Sequence, residues 1–220
     1  MSLPINKIYA LHHKPLRQRK ERLLNIFEQK KLTVEWVENE EVEEDFYHYS
    51  PEKWTQKLND AYPNDPTPPR PLRKSEISIG VKHYECFKRL VDSPHQEAIV
   101  FEDDVLFFED FKEKFLEYFE RTPPYWDAIF FGYGSFLRVE NYVGGQLVYP
   151  RDHPVTRCLD SYIIKKEACK KILQDLKPIS LPIDFELSYS FLKHDLKAYW
   201  WDPPLTAQGS QNNFYPSAIQ

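Results

Sequence analysis

The chain has 220 residues, with 29 Lys and Arg against 34 Asp and Glu, for a formal net charge of −5 at pH 7. That length fits one domain, the 41% hydrophobic content is enough for a core, and the acidic balance argues against a nucleic-acid partner. No apolar run reaches membrane-spanning length and Met1 to Lys7 is too short and polar for a signal peptide, so a cytoplasmic protein with at most peripheral membrane contact is expected.

Ile5 to Leu11 is a short apolar run that suits a buried strand. Arg17 to Lys31 sets Leu23, Leu24 and Phe27 on one stripe and predicts an amphipathic helix. Leu32 to Val37 alternates, with Leu32, Val34 and Trp36 on one face, and predicts a second strand. This is the β-α-β start of an α/β sheet. Residues 38–73 are acidic at first, aromatic from Phe46 to Trp54 and then rich in Pro, and read as a long irregular insertion with little sheet in a single domain spanning 1–220. Ser75 to Val91 is helical, with Ile79, His83, Phe87 and Leu90 near one face. Ala98 to Glu102 is an apolar strand, and Phe111 to Phe119 is a helix stopped by Pro123 and Pro124. Ala128 to Phe131 is a buried strand, and Val139 to Tyr149, broken at Gly144-Gly145, reads as a hairpin. Leu159 to Ile164 is a strand, Lys165 to Leu176 and Asp184 to Leu192 are helices, and Ala198 to Trp201 is a late strand.

With 6 Gly against 18 Pro, and no G-x-x-x-x-G-K or G-x-G-x-x-G, a glycine cradle for phosphates is excluded. If nucleotide phosphates bind, a divalent cation is the obvious substitute. Glu102-Asp103-Asp104 supplies carboxylates where the Ile99-Val100-Phe101 strand stops. Crowded like charges repel, and a hard cation such as Mn2+ or Mg2+ relieves that at the carboxyl end of a strand, where ligands gather in open α/β sheets. Taken alone, the triplet reads equally as an acidic turn opening the next helix. Cys86, Cys158 and Cys169 lack metal-type spacing and read as reduced thiols. Trp200 and Trp201 are candidate sugar platforms, at least one of which belongs to the core.

Ser75-Glu76-Ile77, His83 and the Ile99–Val105 block are similar to glycosyltransferase family 25, which includes lipooligosaccharide and collagen galactosyltransferases. The likeness continues through Trp126-Asp127, Phe131-Gly132, Tyr162-Ile163-Ile164, Pro182-Ile183-Asp184, Pro203-Pro204-Leu205, Gln208 and Ser217-Ala218-Ile219. The start matches more loosely: Ile8 to Leu11 is followed by Arg19, but His12-His13 stand where Asn or Ser and then Leu are expected.

The resemblance implies a GT-A-like, Rossmann-like mixed sheet flanked by helices. It implies an inverting transferase that moves a hexose, galactose first, from a UDP-sugar to a glycan or other hydroxyl acceptor, as in lipopolysaccharide biosynthesis. The acid triplet becomes a DXD-like motif, with Asp104 the firmest metal ligand and Glu102 and Asp103 dividing the metal and the donor ribose or sugar between them. Arg19, Glu76, His83 and Gln208 are carried over to the donor side, and Asp184 is the candidate general base with Glu186 in reserve. Asp160 is a candidate for the acceptor side. A metal-dependent phosphotransferase or hydrolase would usually carry further Asp, His or Lys motifs near the first strand, and none is found. A catalytically inactive nucleotide-sugar or glycan-binding module on the same fold is the remaining alternative.

Overall fold

The computed structural model describes residues 2–39, 41–134, 137–152, 156–212 and 214. The elements run β1 (Ile8–Leu11), α1 (Arg17–Gln29), β2 (Glu35–Val37), α2 (Pro51–Ala61), α3 (Lys74–Asp92), β3 (Glu97–Glu102) and β4 (Val105–Phe107). They continue with α4 (Phe111–Arg121), β5 (Ala128–Phe130), β6 (Val148–Arg151), β7 (Ser161–Lys165), α5 (Lys166–Leu173), α6 (Ile183–Lys193), β8 (Ala198–Trp201) and β9 (Thr206–Gln208).

Seven strands form one mixed sheet in the order β2-β1-β3-β7-β5-β8-β6. β1 lies parallel to both β2 and β3, while β7 runs antiparallel between β3 and β5. Its strands are apolar on both faces because helices cover both. In β1, Ile8 and Ala10 point to the layer holding Leu23 and Phe27 of α1 and Phe111 and Phe115 of α4. Tyr9 and Leu11 point the other way, to Trp54 of α2, Phe87 of α3, Ile172 of α5 and Phe191 of α6. This is the mixed sheet flanked by helices that the sequence implies. Because β7 is antiparallel, its amino end meets the carboxyl ends of β1, β3 and β5 on one rim, and the Glu102 amide donates to the Asp160 carbonyl at 3.0 Å.

Three features depart from expectation. The insertion contains α2, opened by Pro51 in its first turn and by a Ser50 hydroxyl accepting from the Lys53 amide. Val139 to Tyr149 is not a hairpin: Tyr149 pairs with Trp200 of β8 instead. Its hydroxyl accepts from the Val143 amide at 3.2 Å, so a side chain rather than a strand ladder ties that loop down. Third, β4 and β9 form a small antiparallel sheet that brings Gln208 opposite Val105, next to the acid triplet. Among the described residues no helix is long and apolar enough to cross a membrane.

Candidate active site

A cavity of about 430 Å³ opens on the rim where β1, β3 and β7 meet, walled by α3, the start of α6 and the segment after β9. Glu102, Asp103, Asp104, Arg19, Asp184 and Gln208, all singled out from sequence, line it together.

The three adjacent acids take different roles because their backbone positions aim them at different neighbours. Asp103 is saturated: Arg19 Nη1 donates to Oδ1 at 2.8 Å, while His12 Nδ1 lies 2.9 Å and the His13 amide 3.1 Å from Oδ2. Burial pushes its pKa up, but the bonds from His12, Arg19 and the His13 amide outweigh it and hold the carboxyl below the usual range. Both Asp103 oxygens are thus tied to the end of β1 and to α1. His12, a mismatch to the family pattern, is one of the residues that hold them.

Asp104 is the opposite case. The Ser210 amide donates to Oδ2 at 3.2 Å, but Oδ1 is buried and has no hydrogen-bond partner among the described residues. Burial raises its pKa, and the neighbouring Asp103 charge adds to the rise. Glu102 is raised well above the ordinary value, by burial first and then by Asp104, Asp184, Asp160 and Asp103. Its Oε1 meets His83 Nε2 at 3.1 Å.

Asp160 and Asp184 complete the acidic group. Asp160 is fully buried, and burial followed by the Asp104 charge raises its pKa to about 7. Its Oδ2 accepts from the Ser161 hydroxyl at 3.0 Å, while Oδ1 has no hydrogen-bond partner among the described residues. Asp184, in the first turn of α6, is raised to about 6 by burial, and its Oδ1 likewise has no hydrogen-bond partner among the described residues. The Gln208 side-chain oxygen is a fourth buried polar atom in this state.

Other expected residues are placed away from the cavity. Glu76 accepts from Arg70 at 2.6 and 2.7 Å and from the Arg73 amide at 2.7 Å, so it caps α3 rather than meeting a donor. Glu186 accepts from the Ser180 amide at 2.5 Å, the Leu181 amide at 2.9 Å and Lys57 at 2.7 Å, which makes it an anchor for the loop before α6. His83 is wholly buried behind Glu102, and burial lowers its pKa to about 3, so it is neutral. Trp200 and Trp201 both sit in the core at 1% and 0% exposure, which removes them as sugar platforms. Cys86 and Cys169 are buried core thiols, while Cys158 lines the cavity.

Sequence reasoning did not find Lys82, Thr156 or Tyr62. Lys82 is 1% exposed, faces the cavity from α3 and donates to the Ser78 hydroxyl at 2.7 Å. Tyr62, just past α2, bonds the Ser188 hydroxyl at 2.6 Å and brings the insertion to the cavity wall. A helical stripe of Ser75, Ser78 and Lys82 was the available signal for the first; Tyr62 carried none.

The family model described as glycosyltransferase family 25 (LPS biosynthesis protein) matches residues 6–187. The chain belongs to glycosyltransferase family 25. Family 25 relatives include procollagen galactosyltransferase 2 of Mus musculus, 28% identical over 131 residues, covering 58% of this chain and 20% of the relative. A glycosyltransferase 25 family member of Aedes aegypti is 24% identical over 199 residues, covering 86% and 32%. Inactive glycosyltransferase 25 family member 3 of Homo sapiens is 27% identical over 167 residues, covering 67% and 26%. This chain thus spans 20% to 32% of the length of these relatives. Among solved structures, a glycosyltransferase involved in glycosylation of the major capsid of PBCV-1 aligns with 96% of this chain and 98% of its own, at TM-score 0.48 and 13% identity. The family match takes in the acid triplet, Asp160 and Asp184 but ends before Gln208. The Ser217-Ala218-Ile219 block lies outside the described residues.

Proposed function

We propose that this family 25 chain transfers a hexose, galactose first, from a UDP-sugar to a hydroxyl of a glycan acceptor, with inversion and with help from a divalent cation. The observation that carries this reading is the buried Oδ1 of Asp104, without a hydrogen-bond partner among the described residues, in a cavity that Glu102 and Asp184 share. Carboxylates whose pKa values are raised by burial and by one another are destabilised when ionised, and either a proton or a cation joining them relieves that. Asp104 and Glu102 fit Mn2+ or Mg2+, which oxygen ligands suit. Among the described residues, no three His, Cys, Asp or Glu side chains form a metal cluster. Asp104 and Glu102 would hold such a cation from the rim of the cavity. Once bound, it supplies charge neutralisation for the departing nucleotide.

The chain's own groups do the remaining work. Arg19 and His12 hold Asp103, which steadies the turn presenting Asp104. Asp184 takes the proton from the acceptor hydroxyl as that oxygen attacks. A base raised to about 6 is mostly ionised at pH 7 and still basic enough for the task. The family description, an LPS biosynthesis protein, supports a surface glycan as the acceptor class.

The test is a donor screen with Mn2+ that compares wild type with Asp104→Ala and Asp184→Asn. Asp104→Ala should abolish UDP-sugar turnover, and unchanged turnover would end the metal assignment. Asp184→Asn should keep donor binding and lose transfer by 10²–10⁴-fold, the usual range for a general base. A second reading, a nucleotide-sugar-binding module without transfer, is favoured by relatives that are named inactive, such as family member 3 of Homo sapiens. Cation-dependent UDP binding with no transfer to any of a broad acceptor panel would establish it.

A further inference from the structure

The His83 ring is enclosed completely and sits between two oxygens. Its Nδ1 lies 2.8 Å from the Tyr162 hydroxyl and its Nε2 lies 3.1 Å from Glu102 Oε1. The ring stacks on Tyr162, with centroids 5.8 Å apart and planes at 24°. Tyr162 is fixed on β7 opposite Val100 of β3, two residues before Glu102, and His83 is fixed on α3. Three elements of the sheet and its covering layer therefore define the ring's position.

The protons can be placed in two ways, according to whether Nδ1 accepts from the Tyr162 hydroxyl or donates to its oxygen. In one, Nε2–H donates to the Glu102 carboxylate and the Tyr162 hydroxyl donates to Nδ1. In the other, Nδ1–H donates to the Tyr162 oxygen, whether Nε2 donates to Glu102 or accepts from it. Among the described residues, Nδ1 of His83 is the one hydrogen-bond partner of the Tyr162 hydroxyl. The second arrangement would leave a buried hydroxyl hydrogen without an acceptor, and the first uses every proton.

We infer that His83, held in its Nε2–H form by the Tyr162 hydroxyl, is the positioning residue of Glu102. It pins Oε1 and leaves Oε2, which accepts no hydrogen bond among the described residues, for the cavity. This rests on the reading that Glu102 helps hold a cation. Hydrogen bonds behind a ligating carboxylate fix its orientation, and their loss commonly weakens metal binding 10–100-fold.

The experiment reads Mn2+ binding directly, by the electron paramagnetic resonance signal of free Mn2+ in the presence of UDP, and needs no turnover. Gln at this position carries an amide N–H close to the place of Nε2, whereas Asn reaches only the place of Nδ1. His83→Gln should stay within about 3-fold of wild type, and His83→Asn should weaken binding about 10–100-fold. Equal losses in the two variants would overturn the positioning role. A nitrogen-15 histidine spectrum of the wild-type protein gives a check that needs no variant. A proton on Nε2 is expected, and a proton on Nδ1 overturns the inference even if Mn2+ binds. Wild-type protein that binds no Mn2+ with UDP would instead sink the cation reading, while the spectrum still decides the tautomer.

Discussion

At the scale of single residues, the site depends on groups too small to be noticed as chemistry. Gly132 follows β5, and a Cβ there would lie 2.2 Å from Asp160 Oδ2 and 2.4 Å from Oδ1. A short, fully buried aspartate cannot swing away as a long surface side chain would. Gly132→Ala should therefore destabilise the fold by about 1–3 kcal/mol, the usual cost of overpacking, and should weaken nucleotide–cation binding as Asp160 is displaced. Thermal unfolding together with UDP titration in Mn2+ checks this. Wild-type stability and affinity in the alanine variant would mean that the carboxylate is not confined as described. The Phe131-Gly132 pair was legible in the sequence as part of a family pattern, but its reason was not, because the partner is almost thirty positions away. The acid triplet shows the same limit. Its presence at a strand end could be read from the sequence, whereas the division of labour between Asp103 and Asp104 depends on His12 and Arg19, which arrive from another strand and another helix.

At the scale of elements, Asp184 and Glu186 show what a helix does to neighbouring acids. Successive residues turn about 100° around a helix, so positions two apart differ by roughly 200° and point to opposite sides. Only one of the pair can face the cavity, and the structure gives that place to Asp184. Glu186 turns inward to the Ser180 and Leu181 amides and to Lys57 of α2, so it ties the insertion to the start of α6. Glu186→Gln should cost about 3 kcal/mol of stability, as expected when one partner of a buried ion pair loses its charge. Transfer by the protein that remains folded should fall far less than in Asp184→Asn. Comparing melting temperature with kcat in the two variants separates the roles, and a Glu186→Gln enzyme that is stable but inactive would reverse them. The periodic elements were legible for the same reason that they form, because their apolar stripes match the two layers they enter. The supposed hairpin failed because turn residues at Gly144-Gly145 say nothing of which strand Tyr149 joins. The β4–β9 pair escaped notice because three-residue strands distant in sequence leave no local period.

Across the whole molecule, one rim collects four carboxylates whose pKa values all move upward: Glu102, Asp104, Asp160 and Asp184. Repulsion and burial at this rim oppose folding whenever the groups are ionised. The sign follows from linkage. A carboxyl whose folded pKa is raised binds its proton more tightly folded than unfolded. Its contribution is most favourable below the unfolded value, and it is lost as pH rises through the folded value. For Asp160, 3.8 unfolded and about 7 folded, the window runs from roughly pH 4 to pH 7. The loss across it is at most about 4 kcal/mol, at about 1.4 kcal/mol per pKa unit. Asp103 and Glu76 act in the opposite sense, because their folded pKa values are lowered and they favour the fold above pH 4. The rim's effect must therefore be isolated by difference. Denaturant unfolding from pH 5 to pH 8 without divalent cations should show wild type losing stability relative to Asp160→Asn as pH rises. With Mn2+ and UDP present, the wild-type slope should flatten, because a bound cation favours the ionised rim and stabilises the folded state by mass action. Parallel pH profiles for the two proteins would show that Asp160 carries no raised pKa. A wild-type profile indifferent to Mn2+ and UDP would show that the strain at this rim is relieved by something other than a cation.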